Sequence, residues 1–340
     1  MVYTFNIEKY ELEFIKPAKT SRNTFKSRKV YFIHLKELDS GKSGLGEAAP
    51  LSLLSIDDVA DYEQILDSKL EDFCSIGSLQ DMDLGDYPSI RFGIETALLD
   101  LEADKDGRLY STPFTLGEST IPVNGLVWMD NAETMYDQAL KKIALGFSVI
   151  KFKVGALDFD DECRMLERIR KEFIASKITL RLDANGGFKP DEAAEQLKEL
   201  KRFEIHSIEQ PVKPKLWDDM ARLCKESQID IALDEELIGL DVYQEGLKLL
   251  KYIKPKYLIL KPNLIGGLSI ADRWISLAHK NETEWWATSA LESNVGLNAI
   301  SQWVSQYSNT LHQGLGTGAL FTNNTNSKLH IQNGKMSFVV

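Results

Sequence analysis

The sequence has few cysteines and no long apolar run. Cys74, Cys163 and Cys224 lie far apart and form no CxxC pair, so neither a disulfide framework nor a zinc site is expected. No stretch approaches the roughly 18 apolar residues of a membrane-spanning helix. The start, MVYTFNIEKYELEF, alternates as a strand does and is unlike a signal peptide. We therefore expect no membrane span and a protein of the reducing cytoplasm.

A basic surface is also missing. The net charge is −11 and no lysine- or arginine-rich tract interrupts it, which argues against a nucleic-acid partner. The 43% hydrophobic and 27% charged residues are typical of a globular protein with a sizeable core. The 340 residues allow roughly two domains. Nothing in the composition indicates an oligomeric state.

What the sequence does contain is a periodic series of charges. Five charged residues each close a short apolar run, namely Lys153, Asp183, Glu209, Asp234 and Lys261. Their separations are 30, 26, 25 and 27 residues (183−153, 209−183, 234−209 and 261−234). A strand followed by a helix occupies about 25–30 residues, so this period indicates consecutive βα units.

The period predicts an α/β fold, a (β/α)8-type barrel preceded by an α+β capping domain. Residues 1–115 are expected to form the cap, 116–318 the barrel, and 319–340 a segment that returns to the cap. The barrel strands are predicted at 121–128, 148–154, 178–184, 205–209, 230–234, 257–262, 285–289 and 310–314. Active sites of such barrels lie at the carboxyl ends of the strands, where the five charges fall.

Two lysines stand on the first of these charged strands. Lys151 and Lys153 are two apart, so both side chains point to the same face of a strand. Two close ammonium groups near a bound cation repel each other, which would lower their pKa values and free one of them as a base. The alternative for this motif is a pair of solvated lysines at a strand end.

Three carboxylates follow on the next strands. Asp183, Glu209 and Asp234 would repel one another unless a divalent cation lay among them, and an all-oxygen set suits Mg²⁺, with Mn²⁺ also possible. The alternative for each acid is a cap on the helix that follows. Lys261 would face the lysine pair across the barrel mouth. Lysines on both sides of a metal-bound carboxylate suit abstraction of the proton next to that carboxylate.

The motifs K-x-K, D-x-N, E-Q-P, D-E and K-P-N-x-x-G-G resemble the enolase superfamily, specifically its muconate-lactonizing-enzyme subgroup. That superfamily is itself known for a lysine base with Mg²⁺. The segments TSALESNVGLNAISQW and QGLGTGALFTNN are similar to the o-succinylbenzoate synthase family, dehydratases of menaquinone biosynthesis. The resemblance covers nearly the whole chain and implies a small-molecule carboxylate as substrate.

The resemblance also implies roles for individual residues. Asp183, Glu209 and Asp234 would bind Mg²⁺, with Asn185 beside them on the face of Asp183. Lys153 would abstract the proton and then protonate the departing hydroxyl in a syn elimination, Lys151 would tune it, and Lys261 would stabilise the enediolate or the aromatic product. Ser289 and the backbone of Gly314 would contact the distal succinyl carboxylate. Loops near residues 19–28 and 50–55 would close over the site.

Other functions stay open at this point. Dipeptide epimerisation or N-acylamino-acid racemisation would use the same lysines and metal. Dipeptide epimerases usually carry an acidic D-x-D on the last barrel strand, whereas this stretch reads HQGLGTG. Muconate cycloisomerisation and a non-catalytic binding protein are more remote alternatives. The glycine-rich run at 314–318 resembles a phosphate loop but lacks the P-loop lysine.

Overall fold

The amino-terminal part of the chain forms an antiparallel sheet covered by two helices. In this computed structural model, which describes residues 2–19 and 24–340, the sheet has the order β1-β2-β3. Its strands and helices are β1 (Tyr3–Lys19), β2 (Thr24–Glu37), β3 (Ser43–Ala48), α1 (Tyr62–Ile76) and α2 (Pro88–Leu101). The loop prediction at 19–28 falls partly outside the described residues, and Asn23 lies outside them.

The helices pack closely on this sheet through a core of their own. Leu66, Phe73 and Ile94 from the helices meet Ile33 of β2 in that core. A Cβ at Gly46 of β3 would lie 2.0 Å from a backbone oxygen of α2, so only glycine permits this approach. The first helix begins only at Tyr62 and packs on the sheet through its buried face.

Parallel strands curl into a barrel after this cap. The seven-stranded sheet runs from β5 to β11 in chain order. The elements along this part are β4 (Ile121–Pro122), β5 (Gly125–Val127), α3 (Ala132–Ala144), β6 (Val149–Lys153), α4 (Phe159–Glu172), β7 (Thr179–Asp183), α5 (Ala193–Leu200), β8 (Ile205–Glu209), α6 (Trp217–Glu226), β9 (Asp230–Leu233), α7 (Gly246–Ile253), β10 (Tyr257–Leu260), α8 (Pro262–Ile265), α9 (Leu268–Lys280), β11 (Glu284–Ala287) and α10 (Asn294–Val304). Short 3₁₀ turns occupy Leu79–Asp81, Lys201–Phe203 and Glu235–Leu237. The predicted barrel-type fold is confirmed.

The eighth barrel position is much shorter than the predicted strand at 310–314. It consists of two parallel bridges, from Gln313 to Val123 and from Gly314 to Thr288. The amide of Gly314 donates to the oxygen of Ala287 (2.8 Å), and Gln313 bonds to the first barrel segment. These bonds join the last and first strands, so a minimal eighth strand closes the ring.

The carboxyl-terminal segment contacts both parts of the molecule. Residues 320–322 run along β1, where the amide of Ile15 donates to Leu320 (2.9 Å) and the rings of Phe14 and Phe321 lie 4.5 Å apart. The hairpin β12 (Leu329–Gln332) and β13 (Lys335–Phe338) then pairs with β4 of the barrel. The division of the chain at residues 115 and 318 stays a prediction. In the described part of the chain, no helix combines the length and apolarity needed to span a bilayer.

Candidate active site

Three buried carboxylates meet at the carboxyl ends of adjacent strands. Asp183 and Glu209 end β7 and β8, and Asp234 follows β9 directly. One oxygen from each lies within 4.8 Å of the others, and none of the three residues is more than 2% exposed. The parallel register pairs Asp183 with Glu209, which is why spacing along the chain placed them together correctly.

The three lysines reach these carboxylates from two sides. Lys151 and Lys153 share the inward face of β6, and their Nζ atoms lie 2.8 and 2.6 Å from Oδ2 of Asp183; Lys151 also pairs with Glu209. Lys261, just after β10, lies 2.6 Å from Oδ2 of Asp234. All three lysines are at least 92% buried, so the alternative of solvated lysines is wrong.

Asn185 links the lysine pair to a further acid. Its Oδ1 accepts a hydrogen bond from Lys153 (2.9 Å), and its Nδ2 donates to Oε1 of Glu235 (2.9 Å). Its backbone has φ = 47°, a left-handed conformation that asparagine tolerates better than most residues. Asn185 is thus placed to orient the Lys153 ammonium group.

The donor set fits a divalent cation. Oε1 of Glu209 is buried and has no hydrogen-bond partner among the described residues. Asp234 precedes a 3₁₀ turn but makes no side-chain capping bond to it, so the helix-cap alternative is wrong for this residue. Three clustered carboxylates with one orphaned oxygen suit a hard, oxygen-liganded ion such as Mg²⁺. Asp183, Glu209 and Asp234 would hold it.

Electrostatics in this cluster differ from the expectation for the lysine pair. Burial opposes the charge of Lys151, but Asp183, Glu209 and Asp234 outweigh it and raise the pKa of Lys151. Burial raises the pKa of Glu209 to about 7, against the opposing effect of Lys151. The three carboxylates around Lys151 thus outweigh the repulsion from the neighbouring ammonium group.

A cavity opens above the lysines, between the barrel and the cap. The space between its walls, together with the solvent at its open mouth, is about 920 Å³. The cap contributes an apolar wall that includes Phe25 of β2 and Leu51, Leu53 and Leu54 of the loop after β3. The barrel contributes Asn124, Trp128, Thr288, Ser289 and Thr317 together with the lysines.

Ser289 and Gly314 both line this cavity, but their polar groups are already engaged. The Ser289 hydroxyl donates to Oε2 of Glu292 (2.6 Å), and the Gly314 amide is used in barrel closure. A Cβ on Gly314 would lie 2.5 Å from Oγ1 of Thr288, so packing alone requires this glycine. Their contacts with a substrate carboxylate stay a prediction.

Sequence reasoning missed Thr288 and Thr317. Their buried hydroxyl oxygens line the cavity and find no hydrogen-bond partner within the described ranges. Thr317 lies inside the glycine-rich segment 314–318 and Thr288 directly precedes Ser289, and this closeness in sequence was the available signal.

The K-P-N-x-x-G-G motif docks the cap onto the barrel, a role that sequence reasoning also missed. Nδ2 of Asn263 donates to the backbone oxygen of Ala49 (2.6 Å). Glu95 of α2 accepts hydrogen bonds from the first amides of α9, at Leu268 (2.5 Å) and Ser269 (2.9 Å). The motif that places Lys261 therefore also fixes the cap above it.

Comparison with known proteins agrees with this architecture. A family model described as the enolase C-terminal domain-like family matches residues 134–338, and one described as the MenC N-terminal domain matches residues 3–101. These matches place the chain in the enolase superfamily, as its motifs predicted.

Individual relatives show which family of the superfamily the chain resembles. The o-succinylbenzoate synthase of Desulfotalea psychrophila is 41% identical, covering 95% of this chain and 96% of that protein. The crystal structure of MenC from the same organism matches with a TM-score of 0.84 at 37% identity, covering 99% and 100% of the two chains. The chain therefore belongs to the o-succinylbenzoate synthase family, and it is an enzyme of the carbon–oxygen lyase class. The alternative of a non-catalytic binding protein is wrong.

Epimerases are more distant relatives. The L-Ala-D/L-Glu epimerase of Bacillus subtilis is 26% identical, covering 86% of this chain and 82% of that protein. Its substrate-liganded structure matches with a TM-score of 0.85 at 21% identity, covering 99% and 96% of the two chains. That structural likeness concerns the fold alone.

Proposed function

We propose that this enzyme dehydrates 2-succinyl-6-hydroxy-2,4-cyclohexadiene-1-carboxylate to o-succinylbenzoate in menaquinone biosynthesis. One observation carries the proposal: buried lysines flank a carboxylate trio from two sides at the floor of a cavity. The 41% identical o-succinylbenzoate synthase supports this choice of substrate.

The metal in this proposal is Mg²⁺, held by Asp183, Glu209 and Asp234; Mn²⁺ accepts the same ligands. When bound, the ion would hold the ring carboxylate of the substrate and stabilise the negative charge that develops when the α-proton leaves. The orphaned Oε1 of Glu209 is the atom that most requires such a partner.

The lysines carry the proton transfers. Lys153 takes the proton from the carbon bearing the carboxylate, and the same group then returns a proton to the departing hydroxyl on the same face. A C–H and a C–O bond break, water leaves, and the ring becomes aromatic. Asn185, 2.9 Å from Nζ of Lys153, orients that group. Lys151 tunes its charge through their shared partner Asp183.

Lys261 lies on the other side of the trio. Its ammonium group, 2.6 Å from Asp234, would stabilise the negative charge on the intermediate and contact the face of the aromatic product. Preorganised charge of this kind is usually a large part of catalysis, because no reorganisation is needed during the reaction.

The distal succinyl carboxylate is assigned to the barrel side of the cavity. Ser289 and Gly314 lie there, and the unpartnered hydroxyl groups of Thr288 and Thr317 are available as donors. The segment 312–318 contains no acid that could hold a substrate ammonium group. This neutral surface favours a substrate without an amine over a dipeptide.

Turnover of the purified protein tests the proposal. Incubation with the cyclohexadiene precursor and Mg²⁺ should remove the precursor absorbance, and excess chelator should stop the reaction. A parallel assay follows epimerisation of L-Ala-L-Glu by polarimetry. Unchanged precursor combined with efficient epimerisation of the dipeptide would overturn the proposal in favour of the epimerase.

A further inference from the structure

Arg28 is a buried cation outside the carboxylate and lysine cluster. It lies on β2, is only 3% exposed, and forms no ion pair within residues 2–19 and 24–340. Burial lowers its pKa from the ordinary value, because the charged form loses its hydration. A buried guanidinium is costly unless its donors are satisfied, so the partners of Arg28 show what it stabilises.

Among the described residues, the hydrogen bonds that Arg28 donates all go to backbone oxygens, and these oxygens belong to two separate loops. Nη2 and Nη1 donate to Ala49 and Pro50 (both 2.5 Å), which begin the cap loop after β3. Nε donates to Leu291 (3.3 Å), in the barrel loop after β11. A planar guanidinium with five donors can hold several carbonyls at once, whereas a lysine ammonium acts as a point charge.

Both loops form part of the cavity wall, and they meet at Arg28. Residues 51–54 of the cap loop and residues 288–291 of the barrel loop line it. Each loop contains a leucine in a left-handed conformation, with φ = 66° at Leu53 and 67° at Leu291. Such conformations are unfavourable for leucine and persist only where surrounding contacts impose them. The bond from Arg28 to the backbone oxygen of Leu291 is a contact of that kind.

We propose that Arg28 is a positioning residue that sets the shape of the distal end of the cavity and thereby selects the substituent that the substrate carries. It does so by fixing the cap loop against the barrel loop, and it touches none of the three lysines or three carboxylates. This inference rests on the proposed function for the identity of the substituent, the succinyl arm.

Two variants and a matched control test it. Arg28→Met keeps the apolar stem, and Arg28→Lys keeps the charge without the planar group. Glu95→Gln changes another cap–barrel contact, at the start of α9, that does not line the cavity. Calorimetry in Mg²⁺ compares the Kd for o-succinylbenzoate with that for benzoate, which lacks the arm. Hydrogen exchange is followed in peptides covering 49–54 and 288–292.

The expected result is a loss of selectivity together with local loosening. Both Arg28 variants should reduce the preference for o-succinylbenzoate over benzoate by about tenfold or more, with faster exchange in both loops, since hot-spot contacts are worth this much. Glu95→Gln should change neither. The proposal is overturned if the Arg28 variants keep both the preference and the exchange rates, or if Glu95→Gln has equal effects. If Arg28→Met does not fold, the same two measurements on Arg28→Lys test the proposal.

The two readouts separate this inference from the proposed function. If the wild-type protein shows no preference for o-succinylbenzoate, the proposed substrate is wrong. The exchange rates of the two loops still test the positioning role, because that measurement needs no ligand.

Discussion

The barrel rim and the cap loops face each other across one cavity but present opposite surfaces to it. On the rim, three lysines and three carboxylates form a buried network in which three of the ion pairs are 2.6–2.8 Å long. The cap contributes Phe25, Leu51, Leu53 and Leu54, which are apolar. Under the proposed function, the reaction would take place at the rim, and the apolar cap would contribute to recognition together with the barrel side of the cavity.

The same contrast appears in how each surface is held. The rim residues follow the ends of neighbouring parallel strands, whose register is fixed by backbone hydrogen bonds. The cap loop is held by side chains, among them Arg28 and Asn263, which bond to its backbone oxygens. Variants on the rim should thus abolish the chemistry, and variants in the cap should alter selectivity.

The largest effect is expected for Lys153→Ala. Removing the proposed base should lower kcat on the precursor by about 10⁴-fold, the upper range for general acid–base catalysis. Steady-state absorbance assays measure it, with the exposed Lys171→Ala as control. Retention of most activity would remove Lys153 from its role as base.

Asp234→Asn should weaken metal binding and leave the stability of the fold nearly unchanged. The amide keeps the shape but loses the charge, so the affinity for Mn²⁺ should fall by roughly 100-fold, as metal sites depend on ligand charge. Calorimetric titration measures the affinity, and thermal unfolding in chelator measures the fold. A large loss of thermal stability with unchanged metal affinity would instead indicate a structural role.

Glu162→Gln should flatten the dependence of stability on pH. Glu162 accepts a hydrogen bond from the amide of Gly155 (2.8 Å), just beyond Lys153, and burial raises its pKa from 4.5 to about 7. The folded state therefore binds this proton more tightly than the unfolded state does. The contribution of this proton to the free energy of unfolding is complete below pH 4.5 and is lost as the pH rises through 7.

Urea unfolding of the wild type between pH 5 and 8 should accordingly show a decrease in the free energy of unfolding, on the order of 2 kcal/mol from this group. The Glu162→Gln variant should lack that part of the decrease. The exposed Glu192→Gln serves as control. Identical pH profiles for Glu162→Gln and the wild type would contradict the assignment.

The smallest effect is expected for Leu53→Ala in the cap. Leu53 is 72% exposed at the cavity mouth, so its truncation should cost little stability. It should raise KM for the precursor about fivefold, corresponding to roughly 1 kcal/mol of lost apolar contact, and leave kcat nearly unchanged. A drop in kcat as large as that of a rim variant would contradict the division of roles between the rim and the cap.

The sequence predicted the rim residues well because the spacing of the charged residues matches the length of a strand-plus-helix unit. Strand-plus-helix units repeat every 25–30 residues, so a charge at the end of each apolar run identifies Asp183, Glu209 and Asp234 as neighbours. The barrel followed from the same period. The short eighth strand at Gln313 and Gly314 was overestimated, because two bridges are enough for closure.

The cap side could not be predicted in the same way. Arg28 is separated from Leu291 by 263 residues, and no local sequence pattern predicts a contact between them. The engaged hydroxyl of Ser289 and the unpartnered one of Thr288 are adjacent in sequence, yet only the structure distinguishes them. Long-range packing decides such details, whereas residue type and spacing leave them open.

A crystal structure with Mn²⁺ and o-succinylbenzoate tests the central claim most directly. Anomalous scattering should locate the ion about 2.1 Å from one oxygen each of Asp183, Glu209 and Asp234, the distance typical of such ligands. The ring carboxylate should bind the ion, and the ring should lie between Lys153 and Lys261. An ion outside the carboxylate trio, or a ring with both lysines on one side, would contradict the account.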